Sequence, residues 1–273
     1  MIQGERSIRE SLAIRQEIGG RARIAEGLLR LGVTLFWLGR FAEAHSLLEE
    51  SVVAHGDLGD RHYLAWSRIL LGLTEAHLGS YTSARIQAEI GLDLYRNVGE
   101  RAGVEHALLV LGHVALAMEA YAEAQQRLLE CVAMYREVGV QDELGWALAD
   151  LAVTARGLGD PCQARRHLGE ALRMSTEIQG QLPLVFARPA TALFLADQDE
   201  IERAVELYVL ALHCFPVAHS RWFEDVFGRH IAAVAATLPP GALAAAQDRG
   251  RARDLDATVK ELLAELHPHP DRV

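Results

Sequence analysis

Apolar residues recur at helical spacing along nearly the whole chain. In residues 28–44, LLRLGVTLFWLGRFAEA, apolar Leu28 and Leu31 begin one run, Gly39 interrupts it, and a second run starts near Ala44. Apolar residues three or four apart share one face of a helix, and glycine accepts the left-handed backbone at which a helix ends. The stretch therefore predicts two amphipathic helices joined by a short turn.

The same hairpin pattern returns every 40 residues. A leucine–glycine pair marks the first helix and an alanine marks the start of the second; these markers are Leu31-Gly32, Leu71-Gly72 and Leu111-Gly112, and Ala44, Ala84, Ala124, Ala164 and Ala204. A single hairpin cannot bury its apolar face alone, so neighbouring hairpins must stack. The pattern predicts an all-α solenoid of antiparallel helix hairpins.

This register divides the chain into seven segments. Residues 1–20 are the second helix of a truncated repeat, residues 21–60, 61–100, 101–140 and 141–180 are repeats 1 to 4, residues 181–218 are a degenerate repeat 5, and residues 219–273 are C-terminal capping helices and a tail. In repeat 5, Pro189 falls inside the first helix. Asp254 is a good N-cap for the last helix. Because a domain rarely starts on half a hairpin, we read residue 1 as a boundary inside a longer solenoid.

The repeat resembles the tetratricopeptide repeat. In that family a leucine–glycine pair in the first helix is followed by an alanine and, four residues later, a large residue; Leu31-Gly32, Ala44 and Leu48 match these positions. The period of 40 departs from the usual 34, and Leu28 stands where the family has tryptophan. The resemblance implies a right-handed superhelical α-solenoid whose first helices line a concave groove.

Two stretches also resemble the C-terminal arms of bacterial multidomain signal-transduction ATPases, the STAND regulators. In those proteins a tetratricopeptide array follows an NB-ARC or AAA-type nucleotide-binding domain. The stretches are ESLAIRQEIGGRARIAEGLLRLG and LPPGALAAAQDRGRARDLDATVKELL. The resemblance implies a cytoplasmic sensor or interaction arm, with an ATPase domain upstream in the same chain. No GxxxxGK[ST] motif occurs in the 273 residues, so we expect no ATP binding by that route.

The tetratricopeptide resemblance also places the groove by register. The position of Glu26 holds a ring in each of the next four repeats. We predict that the ligand-binding residues are Trp37, Trp66, His77, His106, His113, Trp146, Arg156 and Phe186. The rings would take apolar or aromatic groups, while histidine and Arg156 would orient a polar or anionic group. The alternative is that these rings only pack against the preceding repeat.

Phe36 and Trp37 are adjacent, and both fall on groove positions. The position of Trp37 is polar in two of the other repeats, where it holds His77 and Asp197, and small in the two between them. The position of Phe36 holds Ala76 in the next repeat. We therefore expect Trp37 to be the more exposed ring and Phe36 to pack on the next repeat.

Composition excludes several classes of function. The net charge of −10 argues against nucleic-acid binding, which needs a basic surface. The widely spaced Cys131, Cys162 and Cys214 are typical of buried thiols in a reducing cytoplasm. No apolar run reaches the roughly 18 residues of a membrane span. His267 and His269 form an HxH in a proline-rich tail, where a solvated loop is the better interpretation than a metal site.

No catalytic constellation accompanies the repeats, so we expect neither an enzyme nor a cofactor. The sequence favours a non-enzymatic sensor or interaction module of a larger regulator, binding a protein, peptide or small ligand in the groove. The alternative is a self-assembling structural scaffold. In that case the apolar stacking face of the truncated N-terminal repeat would pair with another copy.

Overall fold

The computed structural model describes residues 20–101, 103–178, 180 and 182–266, and every regular element in these ranges is helical. The elements are α1 (Arg21–Trp37), α2 (Phe41–Leu58), α3 (Arg61–His77), α4 (Tyr81–Val98), α5 (Val104–Ala117), α6 (Tyr121–Val138), α7 (Asp142–Gly157), α8 (Pro161–Glu177), α9 (Leu182–Asp197), α10 (Ile201–Ala211), α11 (Phe215–Ala218), α12 (Arg221–Phe223), a π-helical segment (Glu224–Gly228), α13 (Arg229–Ala235), α14 (Pro240–Ala252) and α15 (Leu255–Leu266). The predicted all-α class is confirmed.

The 40-residue spacing is visible in the turns between paired helices. The residue two before each second helix has a positive φ: Gly39 at 72°, Gly79 at 87°, Glu119 at 56°, Gly159 at 78° and Asp199 at 64°. Glycine adopts this left-handed backbone without steric cost, whereas a glutamate or aspartate does so at some cost. The turn therefore keeps its geometry in the two repeats that lost the glycine.

Close approach of paired helices explains the glycines in the first helices. A Cβ atom at Gly32 would lie 2.8 Å from Cγ of Leu48, and one at Gly72 would lie 2.7 Å from the carbonyl oxygen of Ala84. Both distances are too short for a real side chain. Gly32 and Gly72 are therefore required by the packing of α1 on α2 and of α3 on α4.

Contacts between Cα atoms divide the chain into two compact units. Unit 1 comprises residues 1–114 and 219–222, and unit 2 comprises residues 115–218 and 223–273. In unit 1, α1 packs on α2, α2 on α3, and α3 on α4. A core of Leu29, Leu48 and Leu71 joins α1, α2 and α3.

Unit 2 is closed by the C-terminal helices. Glu206 of α10 accepts hydrogen bonds from Arg249 Nε at 2.5 Å and from an Nη atom of Arg253 at 2.7 Å. Asp254 accepts a hydrogen bond from the amide of Ala257 at 2.8 Å, so the last helix starts where the sequence predicts. Helix α9 runs unbroken past Pro189.

Two predictions fall outside the described residues. They are the truncated repeat, of which only Gly20 is described, and the tail with His267 and His269. Within the described ranges, no helix combines the length and the apolar character that a bilayer span needs.

Candidate binding surface on the first helices

The eight predicted ligand-binding residues lie on the first helices of the repeats. Unit 1 carries five of them, namely Trp37, Trp66, His77, His106 and His113, and unit 2 carries Trp146, Arg156 and Phe186. The two sets differ in exposure and in what covers them.

Two tryptophans of unit 1 remain partly exposed on this face. Trp66 packs against the Leu29 and Leu71 core with one side, and its ring meets His106 edge-on with centroids 4.8 Å apart. His106 is also half-buried. The two rings together place apolar area beside an imidazole.

The adjacent Phe36 and Trp37 at the end of α1 differ in burial as the sequence predicts. Phe36 is buried, at 3 % exposure, and its ring lies 4.9 Å from His77 of the next repeat. Trp37 is only half-buried and meets Phe36 edge-on at 5.1 Å. Phe36 is therefore core, and Trp37 borders the solvent.

Residues from far along the chain cover His77 and His113. The inserted segment, His219–Trp222, belongs to unit 1. Within it, Ser220 Oγ lies 2.7 Å from Nδ1 of His77. The Trp222 ring stacks on His113 at 3.6 Å, and Trp222 Nε1 donates a hydrogen bond to the carbonyl oxygen of His113 at 2.9 Å.

Burial makes both histidines neutral. Desolvation lowers the pKa of His77 well below its ordinary value, and the neighbouring His113 lowers it further. Burial alone does the same to the pKa of His113. A neutral imidazole has one donor and one acceptor nitrogen. These residues therefore supply hydrogen bonds rather than a positive charge for an anionic group.

The ring cluster of unit 1, defined as Phe36, Phe41, His77, His113 and Trp222, is thus continuous. Phe41 stacks on His77 at 4.9 Å, and His77 stacks on His113 at 5.5 Å. The cluster combines apolar rings with two imidazoles, and the hydroxyl of Ser220 adjoins it at His77.

The ring cluster of unit 2, defined as Trp146, Phe186, Phe223 and Phe227, is a column of apolar rings. Trp146 and Phe186 stack nearly parallel at 4.3 Å, and both are buried. Phe223 stacks on Phe186 at 5.5 Å, followed by Phe227 at 5.8 Å from Phe223.

One buried carboxyl adjoins this column. Trp146 Nε1 donates a hydrogen bond to Oδ2 of Asp150 at 3.0 Å. Burial raises the pKa of Asp150 well above its usual range, and the bond from Trp146 offsets only part of that effect. Nothing in the repeat pattern pointed to Asp150, because its role depends on the depth of its burial.

Arg156 forms an ion pair with a carboxylate of unit 2. Its Nε lies 2.5 Å from Oδ2 of Asp197 and an Nη atom lies 2.8 Å from Oδ1, which is a bidentate ion pair. Together with Arg165 and Phe194, the pair lines a cavity of about 390 Å³. An anionic ligand at Arg156 would have to share it with Asp197.

The structure therefore joins the predicted residues as pairs: Trp66 with His106, His77 with His113, and Trp146 with Phe186. Ligand contact by any of the eight stays a prediction. Sequence reasoning missed Ser220 and Trp222, because they lie outside the repeats and no local pattern links them to His77. Across the described ranges, no group of three or more His, Cys, Asp or Glu side chains could hold a metal ion.

Several solved structures are similar to the chain. A Rap protein in complex with competence and sporulation factor superposes with a TM-score of 0.64 at 15 % identity, covering 95 % of this chain and 72 % of that one. BtubC from P. vanneervenii gives 0.56 at 15 % identity, with 98 % and 94 % covered. At such identities the likeness concerns the fold alone.

A STAND protein with a tetratricopeptide repeat sensor from Pyrococcus horikoshii also matches, with a TM-score of 0.56 at 15 % identity. The match covers 94 % of this chain but 41 % of that protein. A search of curated proteins finds no match.

A family model for the tetratricopeptide repeat matches residues 23–97 and 103–177, which together make up more than half of the chain. Except for Arg21, Ala22 and Val98, the matched ranges contain the helices of the first four hairpins that the structure describes. The chain belongs to the tetratricopeptide-repeat family.

Proposed function

We propose that the chain is the non-enzymatic sensor and interaction arm of a larger cytoplasmic regulator, and that it binds its ligand on the first helices of unit 1. Tetratricopeptide-repeat proteins are interaction modules, which supports the general class. The observation that carries the proposal is the partial exposure of Trp37 and Trp66, with His106 beside Trp66.

The chemistry of this surface suits a peptide or protein segment with an apolar side chain. Tryptophan supplies a large, rigid contact area at small entropic cost and is enriched among the residues that dominate binding energy. The rings at the equivalent positions of unit 2, Trp146 and Phe186, are buried at 3 % and 1 % exposure and have no area left to offer. Unit 1 is therefore the better candidate.

The larger regulator is inferred from two sources. The STAND protein of similar fold has a tetratricopeptide repeat sensor. Two stretches of this sequence also resemble the arms of such ATPases. The coding frame upstream of Met1 tests this part. An NB-ARC or AAA-type domain encoded there supports the proposal, and a different domain or no further coding sequence contradicts it.

A displayed library of random 12-residue peptides tests binding directly. Peptides selected on the wild-type chain are synthesised, and their Kd is measured by fluorescence anisotropy. We expect Trp66→Ala to weaken binding about tenfold or more, as is usual for a central interface tryptophan. Leu129→Ala is the matched control, because Leu129 is 49 % exposed on a second helix.

Equal affinity of the wild type and Trp66→Ala for every selected peptide would place the ligand elsewhere. If no peptide is selected and sedimentation shows that the wild type associates with itself, the alternative of a self-assembling scaffold is favoured instead. A monomeric chain that selects peptides excludes that alternative for this part of the protein.

A further inference from the structure

The inserted segment occupies positions that the repeat register assigns to a ligand. His77 and His113 both belong to the predicted binding face, and both are covered by residues 219–222 of unit 1. The Trp222 side chain has 0 % exposure and is therefore completely buried. Ser220 and His77 are 143 positions apart in sequence, so the contact is not part of the repeat pattern.

The contacts of this segment define what the site recognises. An indole is held in two ways: its face lies on His113 at 3.6 Å, and its Nε1–H donates to a main-chain carbonyl oxygen at 2.9 Å. A phenylalanine could satisfy only the first contact. Two residues earlier, the hydroxyl of Ser220 meets Nδ1 of His77 at 2.7 Å.

Two phenylalanines of the first hairpin also contact His77. Phe41 stacks on its ring with an interplanar angle of 21°, and Phe36 meets it edge-on. The ring is therefore held in place by core residues of the first hairpin, with Nδ1 directed at the hydroxyl of Ser220. Such a preorganised site favours a hydroxyl and an indole at a fixed separation along one chain.

We propose that the inserted segment is an internal ligand, which holds the site formed by Phe41, His77 and His113 until a partner segment with a serine or threonine two residues before a tryptophan replaces it. This inference rests on the proposed function and narrows its ligand class. A tethered segment acts at a high effective concentration, commonly about millimolar. A competitor therefore binds with an apparent affinity reduced by the small fraction of chains whose site is open.

A labelled peptide of sequence AHSRWFED, which corresponds to residues 218–225, provides the probe. Its affinity is measured by fluorescence anisotropy for the wild type, Ser220→Ala and Trp222→Ala. We expect Ser220→Ala to bind about fivefold more tightly than the wild type, because one lost hydrogen bond of about 1 kcal/mol opens the site more often. We expect Trp222→Ala to bind more tightly still, at least about tenfold beyond the wild type.

Three controls separate recognition from general loosening. A peptide with alanine in place of the tryptophan should not bind any variant. Adding His113→Ala to Trp222→Ala should abolish the gain, because the stacking surface is removed. Arg229→Ala changes an exposed residue of the adjoining helix, paired with Asp225, and should behave as the wild type.

Circular dichroism and urea titration establish that each variant folds. If Trp222→Ala does not fold, Ser220→Ala decides the matter by itself. The proposal is overturned when the folded variants show no saturable binding, or when the tryptophan and alanine peptides bind alike. In that event an undiminished effect of Trp66→Ala on library peptides still supports the proposed function, so the two failures are distinguishable.

Discussion

The ring clusters of the two units are both built on first helices, but they use different register positions and differ in chemistry. In unit 1 the cluster contains two neutral imidazoles, and the hydroxyl of Ser220 bonds to one of them. In unit 2 it is a stack of one indole and three phenyl rings, with a single carboxyl beside it. One repeating backbone thus supports both a polar, specific contact and an apolar packing contact.

The difference shows which positions of such an array can serve recognition. Apolar ring stacking gains free energy from burial alone, with little demand on orientation. A buried imidazole instead needs a correctly placed partner, because an unpaired polar group costs about 1–3 kcal/mol. The contacts of unit 1 therefore depend on correctly placed polar partners, whereas those of unit 2 depend mainly on apolar burial.

The largest effect is expected from a substitution that disrupts the apolar column of unit 2. Phe186→Ala should lower the free energy of unfolding by about 3–5 kcal/mol, because it removes a buried ring and leaves a cavity. Urea titration followed by circular dichroism measures it. Leu129→Ala, on an exposed position of the same unit, should stay within about 0.5 kcal/mol of the wild type. A loss at Phe186 no larger than the control would show that the column is not a stability element.

The second effect concerns the histidines of unit 1. The pKa values of His77 and His113 are lowered in the folded chain by burial, so below pH 6.5 the unfolded chain binds protons that the folded chain does not. Stability is therefore lost as the pH falls from 6.5. The slope for the two protons can reach about 2.7 kcal/mol per pH unit.

Urea titrations between pH 7.5 and 5.5 measure this slope, and His113→Phe should remove about half of the contribution of the pair. The pKa of His55 is also lowered by burial and accounts for part of the slope that remains. An identical slope in the wild type and His113→Phe would show that His113 is charged in the folded chain, and the contrast between the two clusters would disappear.

The third effect has the opposite pH dependence and belongs to unit 2. The pKa of Asp150 is higher in the folded chain than in the unfolded chain, so the folded chain keeps this proton to a higher pH. The contribution of Asp150 to the free energy of unfolding therefore decreases as the pH rises above 3.8. Asp150→Asn retains an acceptor for Trp146 Nε1 and carries no charge. It should be more stable than the wild type at pH 7 by about 1–2 kcal/mol, with a smaller gap at pH 4. Thermal melts at the two pH values measure the difference in stability between the variant and the wild type. An equal difference at both pH values would contradict the raised pKa of Asp150.

The smallest effect is expected at the ion pair between Arg156 and Asp197. Its side chains are 28 % and 42 % exposed, so solvent screening limits the coupling energy to below about 1 kcal/mol despite the bidentate geometry. A double-mutant cycle with Arg156→Ala and Asp197→Ala measures the coupling, which should shrink in 0.5 M salt. A coupling above 2 kcal/mol would make Arg156 a structural residue rather than a candidate for an anionic ligand.

Much of the fold could be read from the sequence because it depends on local rules. The break at Gly39 follows from backbone sterics, and the cap at Asp254 follows from a hydrogen bond between residues three apart. The requirement for Gly32 follows from close helix packing, which the repetition of the leucine–glycine pair reveals. Each of these features involves near neighbours in the chain.

The candidate site was predictable only in part. The register identified the ring positions and favoured exposure of Trp37 over Phe36, as observed, although His77, one of the two polar equivalents on which that prediction rested, is itself buried. The register could not show that His113 lies beneath Trp222, since the two are 109 positions apart. It also could not show whether Arg156 would be free or paired, because that depends on the orientation of Asp197.

The sequence by itself determined the helical class, the 40-residue repeat, the hairpin turns and the membership of a repeat family, because periodic burial and backbone sterics act over short distances. Only the tertiary structure decided which rings are covered. Coverage depends on how a non-repeating segment such as residues 219–222 packs on helices more than 100 residues away. That packing covers His77 and His113, while Trp37 and Trp66 on the same first helices of unit 1 stay partly exposed.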